Sequence, residues 1–371
     1  MTSRQRLLNA VAFKPTDRVP ISTYELVGYN SRSFENNETS YQNIMEAIRA
    51  HTDCVCMWDL ASDHAAALSA FPAQIDAVSK RGDEYTDTRY VLHTPKGVLT
   101  SSRRVYDNVQ TTWQTEHWCK TQDDVDAFLS IPFEPLTYNS GDYARVQNEV
   151  GDRGIIMASV GDPGCAAMEL MDFADATVWA MTEPEHFAAT VEEFHRRGMA
   201  NLENQLKTQT VDLYRIYGPE YFTPPFLPPS CFRQFVTPYV TEMTAMIHRY
   251  GGLVRVHSHG RVAQVLDDIL STGADALDPC EAPPDGDITL RALKERAAGR
   301  LCLFGNIQLK ALEHADAKVI RETVIRCMED AKAVGGFVIM PTAAPINVPL
   351  SPKTEENYRV FIDTALEYGV Y

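Results

Sequence analysis

LVRVHSHGRVAQVLDDILSTG, residues 253–273, contains the unit from which the rest of the chain is built. Residues 253–259 form a β-rich run, and Gly260 lets the chain turn sharply behind it. Val262, Val265, Leu266, Ile269 and Leu270 then recur at helical spacing until Gly273 stops them. Upstream, Val236, Val240, Met243, Ile247 and Tyr250 form another helical stripe that ends at Gly251-Gly252. The local pattern is therefore helix, strand, helix. Comparable β-rich runs stand at 19–23, 53–59, 154–160, 211–217, 274–278, 301–305 and 336–340. A further stripe of Val319, Ile320, Val324, Met328 and Ala331 precedes the last of them. Eight strand candidates with helical patterns between them predict an α/β chain folded as one (β/α)8 TIM-like barrel over residues 1–371. A doubly wound open sheet is the alternative, but no GxGxxG follows the first run. Residues 84–120 depart from the rhythm. They alternate with period two around Pro95-Lys96-Gly97, which predicts a β-hairpin or small meander inserted near the C-terminal mouth.

The 371 residues carry 34 basic and 50 acidic side chains, a formal charge of −16 that opposes binding to nucleic acid or anionic lipid. Apolar residues make up 44% and charged residues 23%, which suits a folded globular chain. The eight cysteines show no framework spacing, and no apolar run approaches the ~20 residues of a membrane span. These features lead us to expect reduced thiols, a cytoplasmic location, and a monomer or homodimer acting on a small molecule.

In barrels of this kind, functional groups gather where strands end and the following loops begin. That position alone selects Tyr24, Glu25, Trp58, Asp59, Asp162, Tyr217, Glu220, His257, His259, Asp278, Cys280, Glu281, Asn306 and Thr342. The strongest chemistry lies in Val256-His257-Ser258-His259-Gly260. Residues i and i+2 of a strand share a face, so both imidazoles would point the same way, as half of a metal site. Equally, one histidine could be a core residue and the other solvated. Glu220 enters from the adjacent strand end and is the expected third ligand, with Cys280 and Glu281 in reserve.

The chain also resembles the uroporphyrinogen decarboxylase superfamily, including its zinc-dependent methyltransferases that work with corrinoid proteins or thiols. The resemblance is carried by Arg4, Arg6 and Leu7 with Asp17-Arg18-Val19-Pro20, by Asp59 in Met57-Trp58-Asp59-Leu60, and by His257-Ser258-His259-Gly260. Gly305-Asn306-Ile307 and Glu355-Glu356-Asn357 add to it. It implies a distorted (β/α)8 barrel. Two departures bear on activity. The decarboxylases bind polycarboxylates through an arginine-rich segment after Val-Pro, whereas Ile21–Gly28 has no arginine, and their histidine near the last strand is missing around Thr342. The methyltransferase branch has a cysteine where His259 stands and another after the last strand, where Thr342-Ala343-Ala344 offers none.

The resemblance therefore implies methyl transfer from a small methylated molecule, such as a methoxylated aromatic, to a corrinoid protein or thiol. Zinc would sit on His257, His259 and Glu220. Asp59 and Asp162 would orient substrate or move a proton, and Tyr24, Trp58, Tyr217 and Asn306 would contact it. Decarboxylation of a carboxylate and a non-catalytic binding barrel are the alternatives.

Overall fold

The computed structural model describes residues 1–62 and 75–371. Its strands, in chain order, are β1 (Cys54–Met57), β2 (Ala61–Ser62), β3 (Ile75–Arg81), β4 (Tyr85–Thr94), β5 (Gly97–Tyr106), β6 (Thr112–Glu116), β7 (Tyr138–Asn139), β8 (Gly154–Gly161), β9 (Leu213–Tyr217), β10 (Leu253–His257), β11 (Ala276–Asp278), β12 (Cys302–Ile307) and β13 (Phe337–Pro341). A parallel sheet runs β1-β8-β9-β10-β11-β12-β13, with helices in the connections, which is the TIM-like α/β barrel. The first expected run, 19–23, is not a strand. Pro20 has no N–H to donate, so the segment makes only a short parallel bridge from Ile21 to Ile339. The Ser22 N–H donates to the Ile339 carbonyl at 2.9 Å, and the Asp53 N–H donates to the Ile21 carbonyl at 2.7 Å. This segment thus stands in the eighth position, linking β13 to the approach to β1.

The helices bury the stripes that the periodicity marks, with corrections at their ends. Thr237–Arg249 buries Val240, Met243 and Ile247, and Val236 is its N-cap. Ala317–Ala331 buries Ile320, Val324 and Met328, while Val319 lies 46% exposed. Residues 262–271 form a 3-10 turn, Val262–Gln264, followed by the short helix Leu266–Ser271.

The period-two region is an antiparallel sheet ordered β3-β4-β5-β6. It starts earlier than expected, at Ile75, and has four strands. Thr94 pairs with Gly97 across the expected turn. Beyond β5, Val109 bridges to Asn347, and the Gln110 N–H donates to the Ile346 carbonyl at 2.7 Å. These bonds attach the sheet to the loop that follows β13.

Candidate active site at the barrel mouth

β10 ends at His257, so His259 lies in the loop beyond it, and the two histidines do not share a strand face. The loop nevertheless brings them together. Their ring centroids are 4.7 Å apart and the planes stand at 87°. Each imidazole has a carboxylate behind it. His257 Nδ1 is 2.9 Å from Asp278 Oδ2, and His259 Nδ1 is 3.2 Å from Glu281 Oε1. Both carboxylates accept, so both Nδ1 atoms donate, and neither Nε2 has a partner among the described residues.

Asp278 is fully buried at the centre of this arrangement. Burial would raise its pKa, but Arg255, His257 and Arg215 together hold the carboxyl well below the usual range. Burial lowers the pKa of His257, and Asp278 only partly offsets this, so His257 is neutral near pH 7. His259 is the opposite case: burial lowers it, but Glu281 and Glu220 outweigh that and raise it. The Glu281 carboxyl would be raised by burial, yet His259 and the Gly260 N–H, which donates to Oε2 at 2.7 Å, bring it below its ordinary value.

Two arginines complete the cluster, and the choice of residues by strand ends missed both. Arg215 on β9 and Arg255 on β10 are direct register partners. Arg215 donates to Tyr24 Oη at 2.8 Å and to Glu25 Oε1 at 3.3 Å. Arg255 Nε lies 3.0 Å from Asp278 Oδ1, and its guanidinium stands 5.0 Å from the centre of the Phe304 ring. The sequence signal was available. Each arginine lies two residues before a selected one, Tyr217 or His257, and so shares its face of the strand.

Other selected residues stand apart from the histidines. Asp162 caps the helix Pro163–Met168 through the Cys165 N–H at 3.0 Å, and its Oδ2 is buried without a partner. Burial, with Glu220 and Glu169 nearby, pushes its carboxyl up to about 8. Asp59 caps no helix; its Oδ1 accepts the Ser159 N–H of β8 at 2.8 Å. It keeps more than a third of its surface open, yet protein surrounds it closely enough to raise its pKa, as expected for a group in a concave mouth. Asp162 and Tyr217 line a cavity of about 210 Å³ together with Phe194 and Met199.

Four expectations need correction. Trp58 is not a free wall of the mouth, because its Nε1 donates to Asp142 at 2.9 Å and its ring packs on Tyr143. Asn306 does not face a substrate: Nδ2 donates to the Cys280 carbonyl at 2.8 Å, and Oδ1 accepts from the Cys327 thiol. Cys280 is fully buried, and burial raises its thiol far above the ordinary range, so it offers no ready thiolate. Glu220 is near enough to act on both imidazoles electrostatically, but its Oε2 accepts the Gly218 N–H at 3.0 Å. Among the described residues no three His, Cys, Asp or Glu side chains gather as a metal-holding group, so the expected three-ligand set is not assembled. The histidine pair itself fits a metal, since a ligating imidazole is commonly held by a carboxylate at one nitrogen and presents the other. Thr342 joins two loops, accepting the Leu309 N–H and bonding Gln308.

The fold and site define a barrel with buried charges and an open histidine pair at the C-terminal ends of its strands. The chain belongs to the uroporphyrinogen decarboxylase family, whose model matches residues 115–368. The opening Arg6 and Asp17-Arg18 segment lies outside that match. Among solved structures, the chain is similar to a methyltransferase from Methanosarcina mazei at 16% identity and a TM-score of 0.64, covering 99% of each chain. A D-psicose 3-epimerase is far more remote, at 11% identity and a TM-score of 0.33 over 62% of this chain and 83% of that one. No curated protein matches the chain in sequence. Among the described residues no helix is long and apolar enough to cross a membrane.

Proposed function

We propose that the chain is a methyltransferase that takes a methyl group from a small methylated molecule, such as a methoxylated aromatic, and delivers it to a corrinoid on a partner protein or to a thiol. The observation that carries this reading is the histidine pair, with both Nδ1 atoms committed to carboxylates and both Nε2 atoms without a partner among the described residues. His257 and His259 would hold a zinc ion. Bound there, zinc supplies Lewis acidity toward an ether oxygen or lowers the pKa of a thiol. Asp278 and Glu281 fix the tautomer and aim of the two rings. Tyr24, held by Arg215, stands 6.1 Å from the His257 ring and offers an aromatic surface beside it. Asp59, with its raised pKa, is suited to hold a proton where a leaving oxygen needs one. The absence of arginine from Ile21–Gly28 argues against a polycarboxylate such as a porphyrinogen.

The test uses untagged protein. Its metal content is measured, and transfer from 4-methoxybenzoate to cob(I)alamin is followed by the conversion of cob(I)alamin to methylcobalamin. Wild type should hold one zinc and react. The double variant His257→Ala, His259→Ala should lose the metal and at least about a hundredfold in rate. Stoichiometric zinc in the double variant would show that the metal lies elsewhere. Release of CO2 without methyl transfer would establish decarboxylation instead.

A further inference from the structure

We propose that Arg255 is the docking point for the carboxylate of a small monocarboxylate, bound beside His257 inside the barrel mouth. The inference rests on the methyl-transfer site above and names the class of its substrate: a methylated molecule carrying one carboxylate.

Arg255 is only 2% exposed. Its Nε is sealed and lies off the hydrogen-bond line to Asp278, although the two charges are 3.0 Å apart. The two Nη atoms donate to no acceptor among the described residues, and neither is among the sealed atoms. A guanidinium has five donors in a planar fork, and burying them unpaired is costly. Its neighbour Arg215 shows the contrast, since both of its Nη atoms are taken by Glu25 and Tyr24.

The charges favour the same conclusion. Arg255 lies in the interior, with Arg215 beside it on the neighbouring strand. Asp278 is the fully buried carboxylate beside Arg255. The Glu25 side chain is 42% exposed, so solvent screens it. A carboxylate supplies one negative charge and two coplanar oxygens, which match the fork bidentately.

The location suits the reaction. Asp278 stands 3.0 Å from Arg255 Nε with one oxygen and accepts from His257 with the other, so a carboxylate on the fork lies next to the imidazole. Fully buried Phe304 backs the guanidinium, and Tyr24 flanks His257, which gives an aromatic acid a ring to pack on.

The experiment is calorimetric titration of the full chain in chloride buffer at pH 7 with acetate, benzoate, 4-methoxybenzoate, neutral benzamide and inorganic phosphate. Benzoate and 4-methoxybenzoate should bind at least about tenfold more tightly than benzamide. Arg255→Met should abolish that preference, and Arg255→Lys, which keeps the charge without the fork, should restore part of it. The acid-to-amide comparison on wild type needs no variant to fold. The proposal is overturned if no carboxylate binds, if benzamide matches benzoate, if phosphate binds more tightly, or if folded Arg255→Met keeps the preference. Benzoate has no methyl group, so Arg255-dependent binding without any methyl transfer would sustain this inference and sink the functional reading. Methyl transfer with equal use of neutral ethers would do the reverse.

Discussion

Two arginine–aspartate clusters lie at opposite ends of the barrel, and they differ in how completely their donors are used. At the N-terminal end, Asp53 is fully buried just before β1. Arg6 Nη1 donates to it at 2.6 Å, Arg18 Nη1 at 2.7 Å, and the Ile21 N–H at 2.9 Å. Arg6 spends its remaining donors on Asp17 and the Met1 carbonyl. That cluster is closed. At the mouth, Asp278 is as deeply buried, but among the described residues no acceptor meets the Nη atoms of Arg255 and no partner meets the Nε2 atoms of the two histidines. The same residue types thus serve stability at one end and present vacant donors and acceptors at the other, as expected for the two faces of a barrel.

The contrast can be broken most strongly at the closed end. Asp53→Ala removes the buried carboxylate shared by Arg6, Arg18 and the Ile21 N–H, and should cost about 3–5 kcal/mol in urea unfolding. Benzoate affinity of the folded protein should stay within about twofold of wild type. A loss below about 1 kcal/mol would mean that the cluster is not structural.

Next comes a pH effect at the mouth. The folded chain keeps Asp162 protonated up to about 8, whereas the unfolded chain ionises it near 3.8. Between those values the folded state binds the extra proton, so its stability falls as pH rises. From pH 5 to 7, wild type should lose about 3 kcal/mol relative to Asp162→Asn, which keeps the helix cap through its amide oxygen. Parallel pH profiles for the two proteins would remove Asp162 from the list of strained groups.

Asp278→Asn should weaken zinc binding about 10–100-fold in a chelator competition, since it releases the ring of His257. Unchanged zinc affinity would mean that the carboxylate does not orient the imidazole. The smallest effect is expected for Glu25→Gln. This half-exposed partner of Arg215 should be worth less than about 1 kcal/mol, by thermal unfolding. A larger loss would make the mouth cluster as closed as the one at the other end.

Periodicity alone marked the alternation of strands and helices, because a strand face repeats every two residues and a helix face at about 3.6. It also marked the antiparallel sheet through the alternation about Pro95-Lys96-Gly97, and it brought His257, Asp278 and Glu281 to one rim. Their pairing was another matter. Asp278 and Glu281 meet His257 and His259 only because β10 and β11 are neighbours in register, with His257 opposite Asp278. Trp58, Asn306 and Cys280 look free in the sequence, yet partners distant along the chain engage them. Arg255 shows the limit most clearly. Its position on an inward strand face is written in the sequence, but whether a buried guanidinium finds an acceptor depends on the three-dimensional position of Asp278. Hydrophobic patterning acts along the chain and can be read there, whereas the desolvation and pairing of charges act across it, and only the assembled barrel decides them.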